Sequence, residues 1–223
     1  ALLMPYISSC SIACGGHYGT KLSMARTMTL AKEQGVNVGP HPSYPDLLNF
    51  GRKSMHLSMV ALQDALRKQL DSFFSICTDA RHIKPHGALY NAITVDEKLA
   101  VLFIKSTKKY LKDTFLYVPY NSVIEKIAIK NNINIKYEAF ADRSYNDDLS
   151  LVSRTYKNAL LVDETTVLNH ILNMIKNEKV KTVSGMETAI KVDTFCVHGD
   201  TESAVEIVKY LYQNLEKEGF KID

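Results

Sequence analysis

Seven short apolar runs, at 8–14, 36–39, 82–85, 115–119, 133–140, 159–162 and 192–197, alternate with longer stretches whose apolar residues recur at helical spacing. Strands separated by helices cannot pair as tight hairpins, so this alternation predicts an α/β fold with a parallel sheet. The helix boundaries are legible from their caps. Thr20 opens a helix that runs to 34 and stops at Gly35, and Ser58 opens one that runs to about 80 with Leu62, Ala65, Leu66, Gln69 and Phe73 in register. Further helices are expected over 96–111, 122–130, 165–177 and 201–218, the last ending at Gly219, with a Pro-rich loop over 40–53 and a polar loop over 142–154. Six or seven strands are few enough to close as a barrel with helices outside. An open doubly wound sheet satisfies the same pattern, and the pattern alone does not separate them.

The 223 residues suit one large domain or two small ones, and 46% apolar with 23% charged residues is a globular composition. Twenty-seven basic against 24 acidic residues leave +3, spread without a block of like charge, which gives no argument for nucleic acid or a membrane surface. No apolar run reaches the length of a membrane span, and Met4 is not preceded by the basic stretch of a signal peptide. Cys10, Cys14, Cys77 and Cys196 form no CxxC pair and suggest a reducing, cytoplasmic compartment. Cys10 and Cys14, four apart, read as small buried residues of a strand in preference to a metal pair.

The placement of the polar residues carries the functional signal. His17, His41 and His86 follow the first three strands, Glu138 and Asp142 lie near the end of a later one, and His198 and Asp200 follow the last. Ligand sites in parallel α/β folds are built at the carboxyl ends of the strands. His86, Asp142, His198 and Asp200 are therefore candidate catalytic residues, and His17, His41 and His86 candidate ligands of a divalent metal. Without a metal, the same groups could do acid–base work near neutral pH. His56, His82 and His170 lie at a helix approach, a strand start and a helix body and read as structural or surface residues.

Two further stretches suggest substrate contacts. GGHYGTK has three residues between Gly15 and Gly19 and Thr20 ahead of Lys21, so it is not a phosphate loop of the GxxxxGK[ST] kind. Gly15, Gly16 and His17 still precede a helix start that could offer N–H groups to an anion, with tight-turn geometry as the alternative. In HIKPHGALYN, Lys84 and Asn91 are candidate substrate or phosphate contacts, Lys84 because a buried lysine is costly unless paired.

SIACGGHYG at 11–19, GPHPSYPDLLNFGRKSM at 39–55, IKPHGALYN at 83–91, EAFADRSYNDDLSLVSR at 138–154 and CVHGDTESAV at 196–205 together resemble the LamB/YcsF family, in family order and over nearly the whole chain. That resemblance implies a seven-stranded variant of the β/α barrel related to the glycoside hydrolase/deacetylase superfamily. It also implies a subunit of the ATP-dependent 5-oxoprolinase, which converts 5-oxo-L-proline, ATP and water to L-glutamate, ADP and phosphate, with subunits B and C as partners and ATP as co-substrate. Thr20 stands where the family usually has Asp, and the family's opening Asp-rich motif, DxNxDxGE, does not occur in these residues. The single domain over residues 1–223 is therefore expected to lack its first strand here, and a missing segment is expected in preference to a natural truncation, because deleting a first barrel strand would expose two sheet edges. Two other readings stand beside this one: a metal-dependent deacetylase or amidohydrolase acting alone, and a non-catalytic binding subunit.

Overall fold

In the computed structural model, which describes residues 1–201 and 203–222, β1 (Ser9–Ala13) and β2 (Asn37–His41) run parallel in a register that pairs Ser9 with Asn37 and Ala13 with His41. Glu202, inside the 196–205 run, lies outside the described residues. The chain divides into two compact units, Ser9–Lys136 and Ala1–Ser8 with Tyr137–Asp223.

In the Ser9–Lys136 unit the strands follow in chain order. β3 (His82–Ile83) joins β2 through Arg81 N–H to Val38 O, Lys84 N–H to Pro40 O and His86 N–H to Pro42 O, the slanted bonds of a parallel pair. β4 (Phe115–Val118) lies parallel to β3, pairing Phe115 with His82. The connections are helices with the expected caps. Thr20 accepts from Ser23 N–H ahead of α1 (Lys21–Glu33), and the Ser23 hydroxyl in turn accepts from Thr20 N–H. Ser58 caps α2 (Met59–Phe74), Asp96 caps α4 (Glu97–Thr107), and Ser122 with Glu125 forms a capping box on α5 (Val123–Lys130). α1 ends at Gly35, whose φ of +68° is the left-handed geometry that glycine adopts without strain. The apolar stripe of α2 buries Leu62, Leu66, Leu70 and Phe73, so its helical spacing is satisfied by core packing.

In the other unit β5 (Ile135–Phe140) pairs parallel with β8 (Thr194–Cys196), Ala139 against Phe195. Val167 and Ile171 of α6 (Glu164–Asn177) pack with Ile207, Leu211 and Leu215 of α7 (Ala204–Lys217) around Ala141.

The α/β class and the parallel pairing agree with the sequence reading, except that α2 ends at Phe74 and not near 80 and that 159–162 departs from it; two further elements lie in stretches the sequence reading left unassigned. Residues 159–162 are not a strand: they make one bridge, Leu160 to Arg143, and the buried Arg143 side chain holds the loop by donating to Val152 O and Ala159 O. Of the unassigned stretches, 87–93 is a helix, α3 (Gly87–Ile93), because Gly87 turns at φ +58° directly after β3 and lets the chain enter a helix at once. In the other, β6 (Lys179–Lys181) and β7 (Glu187–Ala189) form an antiparallel hairpin, since five residues with Gly185 between them permit a local return. No helix of the described residues is long and apolar enough to cross a membrane.

His82 is a core group, and His170 on α6 is half-buried. His82 stacks on Tyr117 at 4.3 Å and shares a 2.9 Å hydrogen bond with Ser11 Oγ. Burial, then the charge of Lys84, pulls its pKa down to about 3, and burial pulls His170 down to about 4. Both folded values lie below the ordinary 6.5, so the unfolded chain takes up protons first as pH falls. The stability these neutral rings confer is complete above pH 6.5 and is lost as pH falls toward 4. Thermal melting between pH 7 and 4 is expected to show a falling midpoint, and His82→Gln to flatten that fall; an unchanged slope would contradict the assignment.

Candidate functional site

β1, β2 and β3 end side by side, and the loops leaving them bring His17, His41 and His86 into contact. The His17 and His86 rings stack at 3.8 Å with 14° between their planes, and the His41 and His86 rings meet edge to face at 4.8 Å. The loop after β2 folds over them. Phe50 sits edge-on to both His17 and His86 and holds a left-handed φ of +54°, an uncommon conformation for an aromatic residue. Beside it Gly51 is required: a Cβ there would lie 2.9 Å from His17 Cβ and 3.1 Å from His86 Cδ2.

The hydrogen bonds decide what each ring can do. His17 Nδ1 lies 3.0 Å from Ser43 Oγ, and the single Ser43 hydroxyl proton is donated to Tyr44 O at 2.8 Å. Ser43 Oγ therefore accepts, and His17 carries its proton on Nδ1. Nε2 of His17 is left with its lone pair and, among the described residues, has no hydrogen bond. Burial, then the Arg52 charge, lowers the His17 pKa to about 4, so the ring is neutral at pH 7. Ser43 is held in turn by Gln69, which accepts from Ser43 N–H and donates to Ser43 O, both at 2.9 Å. Gly16 makes this possible, because a Cβ there would stand 2.2 Å from Gln69 Oε1 and 2.4 Å from Ser43 Oγ.

Ser43 and Phe50 were not singled out in the sequence, and Gln69 only as a member of the helical register of α2. Gln69 left a signal, being the one polar residue in the apolar register of α2. Ser43 left none.

The nitrogens do not fit a metal ion. His41 Nδ1 faces Lys84 O at 2.7 Å, His86 Nε2 faces Phe50 O at 2.9 Å, and His41 Nε2 and His86 Nδ1 face each other at 2.9 Å. Lone pairs that meet a neighbouring ring cannot converge on an ion, and no group of three or more His, Cys, Asp or Glu among the described residues is arranged to hold one. The pairing of Cys10 and Cys14 as ligands also fails: Cys14 is buried, and burial pushes its thiol up to about 12, away from the thiolate a metal needs.

The glycine turn takes the tight-turn alternative. Gly15 N–H donates to Tyr18 O at 2.7 Å, and the N–H groups at the start of α1 serve the Thr20–Ser23 capping box. Lys84 is buried, its Nζ 6.0 Å from the Tyr90 ring centre, and its carbonyl is the one that orients His41. Asn91 is exposed on α3, and no hydrogen bond among the described residues ties it to the cluster.

In the other unit Asp142 and His198 form a second constellation. The fully buried Asp142 carboxylate accepts from His198 N–H at 2.9 Å, from His198 Nδ1 at 2.9 Å and from Thr201 Oγ1 at 3.3 Å. Burial alone would raise its pKa, but the bonds and charge of His198 outweigh burial and hold the carboxyl below its ordinary value. This is the orienting geometry of an acid–base histidine, with Nδ1 fixed by a carboxylate. Asp200 is exposed in the turn two residues beyond His198, so Asp142 is the partner of that histidine.

The LamB/YcsF family pattern matches residues 1–223. Proteins named as the A subunit of 5-oxoprolinase, from Campylobacter jejuni subsp. doylei and Pyrococcus horikoshii, are each 39% identical over 224 residues, covering 99% of this chain and 88% of theirs. The crystal structure of a lactam utilization protein from Thermus thermophilus superposes with a TM-score of 0.91 at 30% identity, covering 99% of this chain and 90% of that one.

Proposed function

Since this chain belongs to the LamB/YcsF family, we propose that it is the hydrolytic subunit of a multi-subunit 5-oxoprolinase, opening the lactam of 5-oxo-L-proline with ATP as the co-substrate of the complex. The observation that carries this reading is His17: a buried, neutral imidazole whose Nδ1–H is committed to Ser43 and whose Nε2 lone pair is uncommitted. A lactam carbonyl is a weak electrophile, so its hydrolysis needs both an activated carbonyl and an activated water. Phosphorylation of the carbonyl oxygen by ATP on the partner subunits, B and C, supplies the first. His17 supplies the second: Nε2 takes a proton from water as the oxygen attacks the carbonyl carbon. The C–N bond then breaks, the same proton passes to the leaving ring nitrogen, and the open-chain acyl phosphate that results is hydrolysed by a second water to glutamate and phosphate. The His198–Asp142 pair is a further acid–base group of this subunit. A seven-stranded β/α barrel of the glycoside hydrolase/deacetylase superfamily, formed as one domain over residues 1–223, and a cytoplasmic location belong to the same proposal.

Glutamate release from 5-oxoproline, with the chain, the partner subunits and ATP each omitted in turn, tests it. Turnover is expected only when all three are present. Turnover by the purified chain without ATP would make it a stand-alone amidohydrolase, and turnover undiminished without the chain would make it non-catalytic.

A further inference from the structure

We propose that the His41–His86 pair holds one extra proton, shared across its 2.9 Å nitrogen–nitrogen contact, so that the histidine cluster carries a proton where its residue types suggest a metal. The argument is a proton count. Lys84 O and Phe50 O are carbonyl oxygens and only accept, so His41 Nδ1 and His86 Nε2 must both be N–H donors, at 2.7 and 2.9 Å. A neutral imidazole has one N–H, and two neutral rings have two, both of which are used outward. The inner nitrogens, His41 Nε2 and His86 Nδ1, would then oppose lone pair to lone pair at a distance that belongs to a hydrogen bond. A third proton between them removes the conflict and leaves the pair with a single positive charge. Turning either ring over would instead set a C–H group against Lys84 O or Phe50 O and strip a part-buried acceptor of its donor.

The surroundings oppose this charge and so define its use. Burial comes first for both rings; His86, Lys84 and His17 then oppose a charge on His41, and His17, Arg52 and Lys84 oppose one on His86, so each is kept neutral when taken singly. Of the other groups on the elements packed here, Asp46 of the overlying loop has Oδ1 bound by Asn49, Cys14 stays a thiol, and Tyr90 of α3 lies under Lys84. What retains the proton is the cost of two lone pairs meeting at 2.9 Å. The shared charge lies directly beneath His17, which stacks on His86 at 3.8 Å. A cation there disfavours a second one on His17, keeping that ring a base. The pair is thus a positioning and electrostatic element for His17.

The role given to His17 rests on the hydrolytic reading above; the proton count does not, so the two fail separately. Proton-coupled nitrogen NMR of the full chain, labelled at histidine, reads the count directly. At pH 7 the two rings are expected to carry three N–H protons, the shared one far downfield and slow to exchange. Both rings should lose it at one common midpoint as pH rises, and equimolar Zn²⁺ should leave the pattern unchanged. One N–H per ring at pH 7, or stoichiometric Zn²⁺ bound through His41 or His86, overturns the proposal. In His41→Asn the shared proton should vanish and the His17 midpoint should rise by about one pH unit, a tenfold gain in proton affinity. Loss of the shared proton with an unmoved His17 midpoint would overturn its electrostatic role. If that variant does not fold, the count in the unmodified chain still decides.

Discussion

His17→Asn is expected to lower glutamate release by the assembled enzyme about 10²–10⁴-fold, the range that a positioned general base contributes. Asn places an amide N–H close to where Nδ1–H lies, so donation to Ser43 Oγ survives while the Nε2 lone pair is removed. The loss should fall on kcat, with KM for 5-oxoproline nearly unchanged, because the missing interaction is with the attacking water. Thermal melting should shift little, since Ser43 remains held by Gln69. In the unmodified enzyme the acidic limb owed to His17 should lie near pH 4, well below 6.5, because burial and Arg52 keep the ring neutral. A His17→Asn enzyme that retains kcat would remove His17 from the chemistry, and the water-activating role with it.

Asp142→Ala should be the most damaging single change to stability. The side chain is fully buried and accepts from His198 N–H, His198 Nδ1 and Thr201 Oγ1. Alanine leaves those donors without an acceptor, and each buried unsatisfied group costs about 1–3 kcal/mol. A total near 3 kcal/mol would lower the melting temperature by roughly 6–12 °C for a chain of this size. Activity should fall as well, because nothing then fixes the His198 tautomer. The sign with pH follows from the depressed carboxyl: its stabilisation is present above the ordinary carboxylate pKa of 3.8 and is lost as pH falls below it. The difference in melting temperature between Asp142→Ala and the unmodified chain should therefore shrink below about pH 4. A variant that melts within about 2 °C of the unmodified chain at pH 7 would show that Asp142 is dispensable to the fold.

Much of the fold was legible in the residues because its determinants are local. The caps Thr20, Ser58, Asp96 and Ser122 and the stop at Gly35 act over three or four residues, and strand and helix periods are written directly in the apolar spacing. The failures fall where local rules lose to context. Residues 87–93, to which the sequence reading assigned no element, form a helix behind the sharp turn at Gly87. The apolar run at 159–162 has the composition of a strand, yet Arg143, 16 residues before Ala159, takes its backbone carbonyl and holds it as a loop.

The site divides the same way. His17, His41, His86, Asp142 and His198 could be picked out as candidates from their positions after strands, since ligand sites in parallel α/β folds are built at strand ends. What each does could not. A histidine's chemistry depends on which nitrogen bears the proton, and that is set by partners 26 to 56 residues away: Ser43 for His17, Lys84 O for His41, Phe50 O for His86 and Asp142 for His198. Residue types alone suggested a metal triad. Only the tertiary structure turned two imidazoles nitrogen to nitrogen and left the third with a lone pair to spare, because those orientations are set by partners far away in the chain.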